Sequence, residues 1–288
     1  MGGLWGALAD PWAQTIFQRA AAEVALLGIA GGLLGCWIVF YELSYGAESL
    51  AHALFPGRVV AALAGLPLLL GGAIGLAVAG LGVAAVGRFP EIGRDTAVAI
   101  VVTTLFGLGA LLALSPDSPP GIQSLLFGDI LGVTDTDLAL AAGLAVVVVL
   151  VLVPLHSRLL AVGFDRSSAR SVGASAGLVD VALLVLLGAA ILVAVQGLGN
   201  LLVVALLIGP AATARLVCRR MAPMMVCAAA IAVAGGLGGL YLSYHAGLAA
   251  GASIASVMVG AHLVASALAV VRRPRGGRHP AWGPRPAS

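Results

Sequence analysis

The chain has 288 residues, of which 61% are hydrophobic and only 9% are charged, and its mean hydropathy is +1.10. Soluble domains are roughly 45–50% apolar and about 25% charged, so this composition excludes a soluble globular protein. The apolar runs lack the period-two alternation of a membrane β-barrel, and lipid is spanned only by helices or closed barrels. The sequence therefore predicts an all-α polytopic membrane protein.

All 15 basic residues are arginine, and their placement predicts the topology. Most of them flank apolar segments, as cytoplasmic loops do under the positive-inside rule. These clusters are Arg88/Arg94, Arg158/Arg166/Arg170, Arg215/Arg219/Arg220 and Arg272/Arg273/Arg275/Arg278/Arg285. The segment 115–137 contains acids but no arginine, which places it outside. We therefore expect an external N-terminus, a cytoplasmic C-terminus and no nucleic-acid partner.

Apolar runs of about 17–25 residues mark candidate membrane spans. They lie near residues 20–40, 47–65, 67–87, 96–114, 138–157, 177–196, 199–217, 222–243 and 248–271. Nine spans fit the arginine pattern, and eight remain possible because 47–65 and 199–217 are short and interrupted. Residues 1–271 thus form one transmembrane domain. Residues 272–288 are rich in Pro, Gly and Arg, which predicts a disordered cytoplasmic tail.

The stretch 41–57, YELSYGAESLAHALFPG, places ionisable residues between apolar runs. On a helix, Glu48 and His52 are four residues apart and share one face. A carboxylate with an imidazole suits zinc, manganese or iron, and two ligands suit an ion that must bind and then leave. Ionisable residues within a membrane are candidate functional sites. The alternative is that the two side chains bond each other or a neighbouring helix.

Two spans contain Pro and Gly in mid-segment: Pro56-Gly57 in the first and Gly209-Pro210 in the second. Proline removes a backbone donor and displaces the carbonyl four residues earlier. Spans broken in this way in both halves of a transporter point to a substrate site. We predict helix breaks and a gating role at these four residues; ordinary kinks are the alternative.

A short cytoplasmic helix is predicted at 165–173. Asp165 is a natural N-cap and Gly173 a natural residue just after the helix end. About two turns separate them, too few to span the membrane, and they carry Arg166 and Arg170. This pattern indicates a docking helix for a cytoplasmic partner or, alternatively, a solvated loop helix.

Three motifs in order carry a family resemblance: LSYGAESLAHALFPG, then LFGDILGVTDTDL at 126–138, then GNLLVVALLIGPAATAR at 199–215. With them, the chain resembles the permease subunit of bacterial ABC importers for zinc or manganese, the metal-chelate family. The resemblance covers residues from about 11 to 270. It implies a type II ABC importer-like permease with a short coupling helix.

The resemblance also implies partners and roles. The permease would pair as a homodimer, or with another permease, and would bind two cytoplasmic ATPase subunits and an external metal-binding protein. His52 would line the metal path with an acid, for which the family carries Gly-Asp where this chain has Ala47-Glu48. The coupling helix would be 165–173, where Arg166 and Arg170 would meet the ATPase. No cofactor is expected in this chain beyond the transported metal.

The sequence thus predicts an ATP-driven importer of a divalent metal in the bacterial cytoplasmic membrane. No phosphate-binding loop or catalytic triad is present, so we expect no enzymatic activity and ATP hydrolysis in a separate subunit. An energy-independent metal channel or a secondary carrier is the alternative. The sequence leaves open the metal, zinc, manganese or iron, and the role of Arg58 near a cation path.

Overall fold

The computed structural model describes residues 9–89, 91–115, 128–167, 169, 173 and 175–271. A short 3-10 helix, Asp10–Ala13, precedes α1. The α-helices are α1 (Thr15–Phe40), α2 (Ser44–Leu63), α3 (Leu68–Val86), α4 (Arg94–Ala113), α5 (Asp135–Phe164), α6 (Ala176–Val217), α7 (Met221–Ala246) and α8 (Ala250–Val271). The described part of the chain contains no strand, which confirms the predicted all-α fold. The predicted tail 272–288 lies outside the described residues.

Seven described helical stretches are long and apolar enough to cross a membrane, namely α1, α3, α4, α5, α7, α8 and the first part of α6. Helix α2 is long enough but carries Glu48, His52 and Arg58, and 202–217 in α6 is a shorter apolar helix. These nine stretches coincide with the nine predicted spans. In lipid, such helices satisfy their backbone polar groups internally.

Helix α6 consists of two antiparallel parts joined at Gly199. The first part runs antiparallel to α3, as the contacts at Gly188 of α6 and at Gly72 of α3 indicate. The second part runs parallel to α1, as the contacts at Gly31 and Gly35 of α1 indicate. The backbone reverses at Gly199, which has φ 71° and ψ 168°. Glycine adopts this positive φ without the steric cost that a side chain would add. The predicted boundary between the spans 177–196 and 199–217 is therefore correct.

Helix α1 is the centre of the bundle and packs against α5, α6 and α7. Small residues allow close approach: a methyl group added at Gly32 would lie 2.6 Å from the backbone of Ala229 in α7. Such small-residue contacts are typical of helix packing in membranes. The side chains of Trp37 and Leu34 are fully buried, whereas α3, α4 and α8 expose leucine and valine. Those exposed apolar faces match a lipid environment.

The bundle has two ends, which are named after Thr15 and Phe40, the first and last residues of α1. The Thr15 end contains the start of α1 and α5, the end of α2 and α4, and the Gly199 turn. The Phe40 end contains the end of α1 and α5, the start of α2, and residues 165–167. The arginine pattern predicts that the Thr15 end faces outward.

Candidate metal site on helix α2

A tight turn of three residues separates α1 from α2 and fixes where α2 begins. Glu42 in this turn is exposed and has φ 59°. The hydroxyl of Tyr41 donates a hydrogen bond of 2.8 Å to the carbonyl oxygen of Leu159 in α5. Burial raises the pKa of Tyr41 well above its usual range, so this hydroxyl keeps its proton. Tyr41 therefore links the turn to α5, and it does not lie on α2 with the predicted site residues Glu48 and His52.

Glu48 and His52 lie one turn apart on α2. Glu48 is exposed and His52 is half-buried. The Nδ1 atom of His52 is buried and has no hydrogen-bond partner among the described residues. Its ring packs edge-on against Phe106 of α4, with centroids 5.1 Å apart, which restricts the orientation of the imidazole. An oriented imidazole with an uncommitted nitrogen is a chemically suitable metal ligand.

The alternative that Glu48 and His52 simply bond each other is not what the described residues show. No ion pair among them joins the two side chains, and the buried Nδ1 of His52 remains without a partner. Nor do the described residues contain a group of three or more His, Cys, Asp or Glu close enough to hold a metal. Helix α2 thus offers two ligands, and their metal-binding role stays a prediction.

The predicted helix break at Pro56-Gly57 is not found, because α2 continues through both residues. Both instead lie at close contacts. A methyl group added at Gly57 would overlap the carbonyl oxygen of Gly71 in α3, and one at Gly109 of α4 would lie 2.8 Å from the backbone of Pro56. Pro56 still leaves the carbonyl oxygen of His52 without its usual helical donor. A gating role for the pair stays a prediction.

The second predicted break, at Gly209-Pro210, is also not found. Helix α6 continues through both residues, and its non-helical residue is Gly199, ten positions earlier. Proline tends to kink helices, but neighbouring groups in a membrane bundle can accommodate it within a continuous helix. The predicted position of the break is therefore wrong, and the backbone irregularity occurs at the glycine with a positive φ. A gating role for Gly209 and Pro210 stays a prediction.

Arg58 points into the bundle. It is 4% exposed, and its Nη1 donates a hydrogen bond of 3.4 Å to the carbonyl oxygen of Val195 in α6. Six residues on a helix correspond to a rotation of roughly 120° away from His52 and a rise of roughly 9 Å. The arginine charge is therefore directed at α6, on a different face of α2 from Glu48 and His52.

Part of the segment predicted as the coupling helix, residues 165–167, 169 and 173, lies among the described residues. The Oδ1 atom of Asp165 accepts hydrogen bonds from the Ser167 amide at 2.9 Å and from its hydroxyl at 2.7 Å, which is the predicted capping behaviour. Arg166 forms an ion pair with Asp180 at the start of α6. Gly173 has φ 72°, as expected for the residue after a helix end. Arg170 lies outside the described residues, and docking to an ATPase stays a prediction.

Two buried polar residues are absent from the sequence-based predictions. Glu23 in α1 and Asn200 in α6 are each 1% exposed. Both have side-chain atoms without a hydrogen-bond partner among the described residues. The sequence does carry a signal for Glu23, because an acid stands alone within the apolar run of α1. It carries none for Asn200, since only the fold shows that this residue is buried.

The chain is similar to known proteins over nearly its whole length. Residues 13–269 match the model of the ABC 3 transport family. The manganese transport system membrane protein MntC of Halalkalibacterium halodurans is 32% identical over 251 residues, which is 87% of this chain and 85% of that protein. A probable iron transport system membrane protein of Haemophilus influenzae is 31% identical over 265 residues, covering 92% and 98% of the two chains.

Solved structures have the same arrangement of helices. PsaBC from Streptococcus pneumoniae, solved in complex with Fab, superposes with a TM-score of 0.83 at 27% identity, covering 91% of this chain and 95% of that one. A metal-chelate type ABC transporter in an inward-facing conformation has a TM-score of 0.69 at 16% identity, covering 88% and 86%. The second match concerns the fold alone.

Proposed function

The chain belongs to the ABC 3 transport family, and on that premise we propose that it is the permease subunit of an ATP-driven importer for a divalent metal ion. The importer would act in the bacterial cytoplasmic membrane by alternating access between the two ends of the bundle. The N-terminus would lie outside and the C-terminus in the cytoplasm, as the arginine clusters predict.

One observation carries the proposed site: the buried Nδ1 of His52 without a partner, one turn from the exposed carboxylate of Glu48. A polar atom buried without a partner costs free energy, and a metal ion would supply that partner. The carbonyl oxygen of His52, freed by Pro56, is a further oxygen close to these side chains. Weak coordination by few protein ligands suits an ion that has to be released on the other side.

The cargo we propose is manganese or zinc. One carboxylate and one imidazole accept both ions, and iron as well. The relatives described above are named for manganese and iron, which favours manganese over zinc. The additional methylene of Glu48, compared with the aspartate usual in the family, extends the reach of the carboxylate without changing the ligand type.

The assembly we propose has three kinds of partner. A second copy of this chain would bring another Glu48 and His52, which addresses the small number of ligands that one chain offers. A cytoplasmic ATP-binding subunit would dock on 165–173, with Arg166 and Arg170 at the contact. An external metal-binding protein would deliver the ion at the Thr15 end. ATP would be hydrolysed by the partner, and this chain would hold no cofactor besides its cargo.

The test is uptake of radioactive manganese by cells that express the chain with its ATP-binding subunit. Glu48→Ala and His52→Ala should each abolish uptake while the ATP-binding subunit still copurifies with the variant. Glu42→Gln is the matched control, because this exposed carboxylate lies in the turn before α2 and should leave uptake unchanged. Copurification shows that a loss of uptake is not a loss of assembly.

Two results would contradict the proposal in different ways. Uptake at the wild-type level in both alanine variants would remove the metal path from α2. Uptake that persists without ATP and without any copurifying ATP-binding subunit would favour the energy-independent channel or carrier.

A further inference from the structure

A second polar site lies inside the bundle, near the Thr15 end and apart from α2. Its central residue is Glu23 of α1, which is 1% exposed and whose Oε2 has no hydrogen-bond partner among the described residues. An isolated ionised carboxylate in an apolar interior is strongly unfavourable unless it is paired or coordinates a metal. Glu23 therefore needs either a bound proton or a cationic partner, and the metal site on α2 supplies neither.

Asn200 of α6 is the second member of this site. It is also 1% exposed, and both its Oδ1 and its Nδ2 are buried without a partner among the described residues. The neighbouring Gln196, which is half-buried, has a buried Nε2 in the same condition. Buried side-chain amides normally satisfy most of their hydrogen-bonding groups. These uncommitted polar groups near the Gly199 turn leave ligand atoms available for a bound group.

The register of the helices brings Glu23 and Asn200 to the same level. Gly31 of α1 faces Leu207 of the second part of α6, and Gly35 faces Leu207 and Ala211, so the two helices run in parallel with a constant offset. Continued back by two turns, the same offset sets Asn200 level with Val24, the residue next to Glu23. The burial pattern agrees, because Asn200 continues the buried face formed by Val203, Leu207, Ala211 and Ala214.

The Gly197 turn of α6 lies directly against the carboxylate, and a second backbone segment packs on that turn. A methyl group added at Gly197 would lie 2.7 Å from the Oε2 of Glu23, so the carboxylate occupies the space that a side chain would fill. Gly128, in the segment before α5, approaches the same turn: a methyl group there would lie 2.6 Å from the carbonyl oxygen of Gly197. Both Gly128 and Gly199 have positive φ. The glycines thus let the segment at Gly128 pack on the turn, and the turn pack on the Glu23 carboxylate.

The charges nearby favour a cation over a basic side chain as the missing partner. Arg19 is one turn from Glu23 on α1, but it forms an ion pair of 2.8 Å with Asp135 and also donates to the carbonyl oxygen of Val133. Asp137, in the first turn of α5, adds a further acidic side chain at the Thr15 end. Arg19 and Asp135 line an open depression of about 450 Å³ at the Thr15 end. A cation arriving there would find Glu23 one turn deeper.

We propose that Glu23 and Asn200, together with peptide oxygens of the turn around Gly197, bind a hard divalent cation in a site separate from Glu48 and His52. All its ligands would be oxygen atoms, and carboxylate, amide and carbonyl oxygens suit calcium, magnesium and manganese. The site lacks the nitrogen or sulfur ligands that zinc prefers. This proposal concerns binding and does not depend on transport through α2.

The experiment uses manganese as the probe and the full chain in lipid nanodiscs. Pulsed electron paramagnetic resonance distinguishes the two sites, because manganese on His52 couples to an imidazole nitrogen and manganese on oxygen ligands does not. We expect the double variant Glu48→Ala/His52→Ala to retain one bound manganese ion per chain, without nitrogen coupling. Calcium in excess should displace this ion, and zinc at the same concentration should not.

Adding Glu23→Gln to the double variant should remove that remaining ion, because the amide keeps the size of the side chain but loses its charge. Glu91→Gln is the matched control: Glu91 is exposed in the loop between α3 and α4, and its replacement should leave the ion bound. Asn200→Ala is the second test, since it weakens binding while the carboxylate remains.

Three results would overturn the proposal. The double variant could bind no manganese, or the ion could persist after Glu23→Gln. The infrared spectrum could instead show a protonated carboxyl group that disappears in Glu23→Gln, which would identify a proton as the partner of Glu23. Loss of uptake in Glu48→Ala with manganese still bound at Glu23 would support this proposal. Loss of the manganese ion at Glu23 with uptake still dependent on Glu48 would overturn this proposal and leave the site on α2 intact.

Discussion

Two glutamates lie within the helical bundle in opposite surroundings. Glu48 on α2 is exposed, one turn from a histidine, whereas Glu23 on α1 is 1% exposed and enclosed by α1, α6 and the segment before α5. Both lack a basic side chain as an ion-pair partner among the described residues. The difference is therefore one of access.

Access decides what each carboxylate can do. An exposed acid on an isolated chain can meet a second permease copy, water or a passing ion, and its ionisation costs little. A buried acid must have its partner supplied within the chain, because the desolvation penalty is otherwise several kcal/mol. Glu48 is thus suited to transient binding, whereas Glu23 is suited to the permanently occupied site proposed above.

The largest expected difference between the two acids is in uptake. Glu48→Gln should lower manganese uptake by at least about 10–100-fold, the loss caused even by mutating the outer-shell partner of a metal ligand. Its thermal unfolding midpoint should stay unchanged, because an exposed substitution typically alters stability by less than about 0.5 kcal/mol. Uptake and unfolding of the purified chain are measured side by side. Normal uptake with a lowered midpoint would reverse the roles assigned here.

A paired glycine substitution tests the packing around each acid. Gly197→Ala places a methyl group against the Glu23 carboxylate and should destabilise the chain by about 1–3 kcal/mol, the usual cost of overpacking. Gly46→Ala, beside α2's exposed face, meets nothing within 4 Å and should be neutral or slightly stabilising. Thermal unfolding in nanodiscs measures both. Equal effects of the two substitutions on thermal unfolding would mean that the Glu23 side chain moves to make room for the added methyl group.

Arg58 provides a test of direction on α2. Because its guanidinium bonds the carbonyl oxygen of Val195 and turns away from His52, Arg58→Met should cost about 1–3 kcal/mol for the group left without a partner. The ratio of manganese to zinc uptake should not change. Arg58→Lys, which keeps the charge, is the companion variant. A shift in that ratio in the Met variant alone would place the arginine charge on the metal path.

The smallest effect is expected at the surface pair of the Thr15 end. Arg19 and Asp135 are 2.8 Å apart, with side chains 40% and 84% exposed. Exposed ion pairs contribute roughly 0–1 kcal/mol, so Arg19→Ala, Asp135→Ala and the double variant should unfold at nearly the same temperature as the parent. A coupling energy well above that range in the double-mutant cycle would show that the pair also supports Glu23.

The sequence predicted correctly those features that depend on a local pattern of residues. Nine apolar runs corresponded to nine helical stretches, and the Asp165 carboxylate accepts a hydrogen bond from the Ser167 amide as a capping residue does. Hydropathy and capping depend on neighbours within a few positions, which is why they can be predicted without the fold. Pro56 and Pro210 were misjudged for the same reason. Proline disfavours a helix locally, but packing against α3 and α4 keeps α2 continuous.

The amino-acid sequence by itself determined the class of this protein, the place of its apolar helices, and the pairing of Glu48 with His52 on one face of α2. Only the tertiary structure decided that Arg58 turns toward α6, that the chain reverses at Gly199, and that Asn200 comes to the level of Glu23. Those three facts depend on contacts between residues more than 100 positions apart. The register between packed helices brings these distant residues together, and no local sequence pattern encodes that register.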